Sequence, residues 1–292
     1  MMRLLLAAGC TVAVIAADPT AELKAAFAKQ LETIAASVDG VVGYTVLDLT
    51  SGDRFERLAT EEFPTASTIK IAILYEMFRQ ADAGRLKLDE VKPLDTRHVV
   101  GGAGTLQHLT APALSLRDHA ILMMLQSDNT ATNVVIDAVG AEAVTARMAA
   151  LGLGRTRLRR RMMDLEAARL GRENLSSPAD LARLLELIHR GDGLAAASRD
   201  AALEMMKKRK STPLTRGIPD DVDAASKPGD LDGVRADAGI VYVPGRTYVF
   251  VMMGSWLSDE AACERAITDA SRAAFRYFDR LAASNAAGRR VR

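Results

Sequence analysis

The chain has 292 residues, with 38 basic against 37 acidic side chains for a net charge of +1, and it is 49% hydrophobic and 4% aromatic. That balance gives no electrostatic footprint for nucleic acid and no acidic solvating tail, and the length suffices to bury a large core. GGAGTLQHL (101–109) does not follow a strand and no Walker-type loop occurs, so nucleotide binding has no support.

In chain order, MMR followed by LLLAAGCTVAVIAA and DPT reads as a secretory leader. It has one positive charge, a short apolar run and small residues at its end. Residues 1–17 are assigned to it, with cleavage after Ala16 or Ala17. Such a run is short for a membrane span. AAGC (7–10) faintly resembles a lipoprotein site, but the apolar run continues past Cys10. A secreted or periplasmic location without a membrane anchor is therefore expected.

AELKAAFAKQLETIAAS (21–37) has a helical apolar stripe, and VVGYTVLDL (41–49) with TSGDRF (50–55) predicts a β-hairpin. Residues 68–83 and 115–126 predict apolar helices, the second capped by Ser115 with Asp118 at its third position. SDNT (127–130) interrupts, ATNVVIDAVG resumes, and Gly140 stops it. SSPADLARLLELIHRG (176–191) carries a cap, a first-turn proline and a terminal glycine. GIVYV (239–243), PGR and TYVFVMMGSW (247–256) predict a second hairpin, and 258–281 an amphipathic helix. The tail at 286–292 is expected to be disordered.

Strands and helices at both chain ends imply one α/β lobe built from 18–62 and 211–285, with 63–210 inserted as a helical lobe of a single domain, 18–285. A cleft between two such lobes is a common place for a site. After loss of the leader one cysteine remains, Cys263, which cannot form an internal disulfide. His98, His108, His119 and His189 lack metal-ligand spacing, so neither metal nor cofactor is expected. Met123, Met124, Met252 and Met253 read as packing.

Ser67 and Lys70 sit three residues apart, on one face of a predicted helix. Serine needs a base, and lysine serves if burial or positive neighbours lower its pKa. The same residues also fit a plainer reading, in which Ser67 or Thr65 caps the helix and Lys70 reaches solvent. SDN (127–129) alone is a turn triplet, and KPG (227–229), just before the closing hairpin, is weak alone.

In that order and spacing, S-x-x-K, SDN and a lysine–glycine triad resemble the serine β-lactamases and penicillin-binding proteins, class A β-lactamases most of all. FPTASTIK (63–70), LRDHAILMMLQSDNTATN (116–133) and LTRGIPDDVDAASKPG (214–229) carry the likeness over nearly the whole mature chain. It implies an antiparallel sheet flanked by helices (α/β, or α+β) with an inserted all-helical lobe. It implies a secreted, monomeric serine hydrolase acting on a small molecule, a β-lactam or cell-wall peptide. Ser67 would be acylated, Lys70 would help remove its proton, and Ser127 would protonate the leaving nitrogen. Asn129, Lys227 and Gly229 would bind substrate, and Asp128 would fix its loop. The backbone N–H groups of Ser67 and Asp230 would form the oxyanion hole.

Two departures matter. Pro228 stands where the family carries a hydroxyl that holds the substrate carboxylate, which makes Arg235 a substitute, unless it pairs with Asp237 instead. The family's loop glutamate, which activates the deacylating water, falls near Met162 or Met163 within 158–178. Asp164 and Glu166 are the nearby acids, either of which could replace it or simply pair with the arginines at 159–161. Without such a base the chain would acylate and stall like a penicillin-binding protein, act as a D,D-peptidase or esterase, or persist as a non-catalytic sensor of the same fold.

Overall fold

The computed structural model describes residues 19–110, 112–285 and 287–291, so the expected leader at 1–17 and Cys10 lie outside the described residues. Helix α1 (Pro19–Ala36) precedes the hairpin β1 (Val41–Asp48) and β2 (Arg54–Arg57). The two-residue β3 (Phe63–Pro64) leads into a 3-10 turn, Ala66–Ile69, and helix α2 (Lys70–Asp82). The middle holds β4 (Val91–Pro93), β5 (Ala113–Ser115), α3 (Leu116–Leu125), α4 (Asn129–Val139), α5 (Ala141–Ala150) and α6 (Leu165–Arg169). Then come β6 (Leu175–Ser176), α7 (Pro178–Arg190) and α8 (Ala196–Lys207), before β7 (Ala224–Leu231), β8 (Val234–Val241), β9 (Tyr248–Ser255) and α9 (Glu260–Ala283).

The main sheet runs β2-β1-β9-β8-β7, each neighbour antiparallel. It is covered on both faces, which is why β9 reads as one apolar run rather than an alternating one. Tyr248, Phe250 and Met252 pack with Phe27, Ile267 and Phe278 of α1 and α9. Val249, Val251 and Met253 face the other way, into a core shared with α2, α4 and α7. At the centre of the helices, Ile71 through Tyr75 of α2 are all buried, so the first half of this helix is packed on every side.

The start and stop signals act as their chemistry requires. The Ser115 hydroxyl accepts from Asp118 N–H at 3.1 Å, and Asp118 accepts from Ser115 N–H at 3.2 Å, a complete capping box. Ser177 caps α7, Pro178 opens it, and Gly191 closes it with φ +78°. Three helices unmarked in the sequence reading, α5, α6 and α8, also form. KPG lies inside β7 rather than ahead of the sheet, and Pro228, which has no N–H, is accommodated because β7 is an edge strand. Gly288, at φ +79°, turns the chain back, so Val291 N–H donates to Ala283 O at 2.7 Å.

Among the described residues no helix is long and apolar enough to cross a membrane, and no group of three or more His, Cys, Asp or Glu is arranged to hold a metal. Cys263 is buried and free, and burial pushes its thiol up to about 12, which makes it unreactive.

Candidate active site

Ser67 lies in the 3-10 turn and Lys70 opens α2. Ala66 beside the serine has φ +46°. Ser127 in the α3–α4 turn has φ +56°, and Met163 has φ +61°. Non-glycine residues held in this region cost about 1–3 kcal/mol each and cluster at functional sites. Here all three line one cavity of about 200 Å³ or adjoin its serines.

The Ser67 and Ser127 hydroxyl oxygens lie 2.8 Å apart. Lys70 Nζ is 3.0 Å from Ser127 Oγ, 2.8 Å from Ser127 O and 3.2 Å from Asn129 Oδ1. Lys227 Nζ lies 3.1 Å from Ser127 Oγ and donates to Pro228 O at 2.9 Å. So two lysines, from α2 and β7, converge on one hydroxyl that contacts Ser67. Both are essentially fully buried. Burial, with Lys227 close by, holds the Lys70 pKa well below the usual lysine value. Burial also lowers Lys227, to about 7, with half-buried Lys210 pushing the same way. Burial therefore favours the neutral form of Lys70.

Asp128 is structural. Its Oδ2 accepts from Thr105 N–H at 2.7 Å and Leu106 N–H at 2.9 Å, and its Oδ1 caps α4 through Ala131 N–H at 2.8 Å. Asn129 turns its Nδ2 to Gly101 O at 3.2 Å. Gly229 brings β7 against the serine turn. A Cβ there would lie 2.7 Å from Thr65 O and 2.9 Å from Ser67 N, an approach only glycine permits. This contact sets Asp230, a wall of the cavity, next to Ser67.

Three candidates stand elsewhere. Arg235 is on the sheet face toward α9, because Ala236 and Ala238 point into the opposite core. It donates to Glu264 at 3.1 Å and to the carbonyls of Leu231 and Val234, so it is no substitute for the missing hydroxyl. Nor does it pair with Asp237, which accepts from Leu214 N–H instead. Asp164 caps α6 through Ala167 N–H at 2.9 Å. Glu166 is 71% exposed, with Arg169 near it at 4.0 Å. Neither acid lines the cavity.

The loop is held by residues that the sequence reading did not single out. Asn133 of α4 clamps Met162, accepting its N–H at 2.9 Å and donating to its carbonyl at 3.2 Å. Met162 and Met163 thus form the wall where the resemblance locates the loop acid. Asn174 Oδ1 accepts from Arg159 and Arg160 N–H, while its carbonyl accepts from Thr65 N–H at 2.9 Å. Arg160 pairs with Glu173 at 2.8 Å, and both line the cavity. Arg161 pairs with Asp137. The polar residues at 173 and 174 have no local pattern to mark them; what brings them to the site is the pairing of β6 with β3, more than a hundred residues earlier.

A five-stranded antiparallel sheet, a helical lobe and this serine–lysine cluster between them define the class A serine β-lactamase-like fold. The chain belongs to the β-lactamase enzyme family, whose sequence model matches residues 26–278. It is 26% identical over 255 residues to an imipenem-hydrolyzing β-lactamase of Enterobacter cloacae, covering 84% of this chain and 86% of that one. The structure of a β-lactamase from Sphaerobacter thermophilus superposes with TM-score 0.79 at 32% identity, over 86% of this chain and 96% of that one. A leucine-to-glutamate variant of PBP-A, an acyl-enzyme complex with penicillin G, superposes with TM-score 0.80 at 31% identity, over 87% and 97%.

Proposed function

We propose that this protein is a serine acyl-enzyme that opens β-lactams, or the equivalent amide of a cell-wall peptide, on Ser67, and that it releases the acyl group slowly. The observation that carries the reading is the Ser67–Ser127–Lys70 chain, closed at one end by a buried lysine whose pKa burial holds down. Ser127 O and Asn129 Oδ1 can only accept, so in its neutral form Lys70 gives them its two N–H bonds. The lysine lone pair is left facing the Ser127 hydroxyl. At rest Ser127 Oγ donates to Ser67 Oγ; turning both hydroxyls, so that Ser127 donates to Lys70 and accepts from Ser67, gives the nucleophile's proton a route to the amine.

As Ser67 Oγ bonds to the carbonyl carbon, the oxygen charge falls to the Ser67 and Asp230 N–H groups, each donor worth about 3 kcal/mol. The carbon–nitrogen bond then breaks, the nitrogen takes the Ser127 proton, and Lys70 returns one to Ser127. Lys227, when protonated, attracts the substrate carboxylate without help from a hydroxyl at 228.

Slow release follows from the wall opposite the serine, where Met162 and Met163 offer no base for a water. One observation favours a second reading with turnover: Glu173 lines the cavity, and opening its pair with Arg160 would free a carboxylate. A secreted monomer acting on a small molecule remains the expectation for setting and partners. The test is intact mass over time with a penicillin and a chromogenic cephalosporin. A persistent adduct absent from Ser67→Ala supports the proposal. Rapid product with little adduct favours the second reading, and neither adduct nor product rejects both.

A further inference from the structure

The cavity that holds Ser67 has an apolar, solvent-accessible mouth. Met163, Leu165 and Leu231 line it, and they are 40%, 62% and 36% exposed. Exposed apolar side chains scattered singly are ordinary, but these three converge on one cavity with the nucleophile. Leu231 ends β7, the strand that carries Lys227. Met163 reaches the segment 101–104, since a Cβ on Gly102 would lie 3.1 Å from its Sδ. The same Cβ would lie 2.7 Å from Asn129 Nδ2, so the thioether flanks Asn129. Met163 is also held at φ +61°, a strain of the kind that collects at functional sites.

The polar side chains of the loop wall are already committed. Arg160 gives Nε and one terminal nitrogen to Glu173 at 3.0 and 2.8 Å, and the other terminal nitrogen to Arg161 O at 3.2 Å. Asn174 Oδ1 accepts from two backbone N–H groups, and its Nδ2 donates to Arg160 O at 3.2 Å. Asn129 spends its Oδ1 on Lys70 and one N–H on Gly101 O, which leaves one N–H for an amide carbonyl. Asp230 is exposed, and a pair formed with a solvated carboxylate adds little. The apolar mouth is therefore the part of the wall that gains most when a ligand covers it.

We propose that Met163, Leu165 and Leu231 form a specificity subsite that selects acyl donors with an apolar ring on the acyl side chain, such as a phenylacetyl amide. The inference rests on the acyl-enzyme reading and names its substrate class. The side-chain amide carbonyl accepts the free N–H of Asn129. The ring beyond it covers the two leucines and the thioether, and a thioether packs favourably against a ring edge. Apolar surface is thus removed from water on both partners. A side chain without a ring leaves the mouth wet and forgoes that gain.

The test measures second-order acylation rates of the full mature protein by intact mass, with penicillin G and with 6-acetamidopenicillanic acid. The two share the nucleus and the side-chain amide and differ by the ring. Penicillin G should acylate about tenfold or more faster, as burial of one ring allows. In the double variant Leu165→Ser, Leu231→Ser the ratio of the two rates should fall close to one. General damage to the fold would lower both rates and leave the ratio unchanged, which would count against the proposal. Equal rates in the parent would overturn this inference alone, and no adduct with either compound would overturn the acyl-enzyme reading together with it. A tenfold preference for ampicillin, the same ring with an added amine, over penicillin G would assign recognition to Asp230 and also overturn the proposal.

Discussion

Replacing Gly229 by alanine tests the geometry on which the proposed acylation depends. A Cβ at 229 would lie 2.7 Å from Thr65 O, 2.9 Å from Ser67 N and 3.0 Å from Ala66 Cβ, whereas ordinary contact begins at 3.4 Å. Two of these three atoms are backbone, and Thr65 and Ala66 are buried, so no side chain can swing aside. Strand β7 must retreat from the serine turn by about 0.7 Å, the gap between those distances. Gly229 does not have a positive φ, so alanine adds little backbone strain and the effect is local. The retreat draws the Asp230 N–H away from Ser67. Loss of one oxyanion donor costs about 10²- to 10³-fold. The second-order rate of acylation by a penicillin, followed by intact mass, should fall about 100-fold while the melting temperature changes little. Acylation within about threefold of the parent, in a folded variant, would refute the claim that this approach builds the oxyanion hole.

Met162→Glu should put a carboxylate on the wall that faces Ser67, and release of the penicilloyl group should quicken about 10²-fold or more, read as cephalosporin turnover. Lys227, with its pKa depressed to about 7, is a cation below that pH and neutral above it. The acylation rate at low substrate should therefore fall about tenfold per unit as pH rises past 7, and Lys227→Arg, which keeps its charge, should remove that fall. Asn174→Ala strips the acceptor from Arg159 and Arg160 N–H; at about 1–3 kcal/mol this lowers the melting temperature by about 5 °C in calorimetry and loosens the loop beside the cavity.

Much of the fold was legible because its signals are local. Ser115 with Asp118, and Ser177 with Pro178 and Gly191, mark helix ends by side chains that satisfy nearby backbone groups. The continuous apolar run at 248–255 announces a strand covered on both faces. Ser67, Lys70, Ser127 and Lys227 could be picked out as a set only through their resemblance to a family, since each triplet alone is common; the structure brings the other three within hydrogen-bonding reach of Ser127. What could not be read depends on side-chain direction and distant pairing. Arg235 is one residue from the correct face of β8, and Glu166 is near the cavity in sequence but points to solvent. Glu173 and Asn174 reach the cavity only through the pairing of β6 with β3.

The most direct measurement is the release rate of a purified penicilloyl adduct, followed by intact mass after excess drug is removed. A well-placed base contributes about 10²- to 10⁴-fold, so its absence predicts an adduct lasting about a minute or longer, with its mass on the peptide that carries Ser67. Decay within about a second would contradict the account and turn attention to Glu173 as the base.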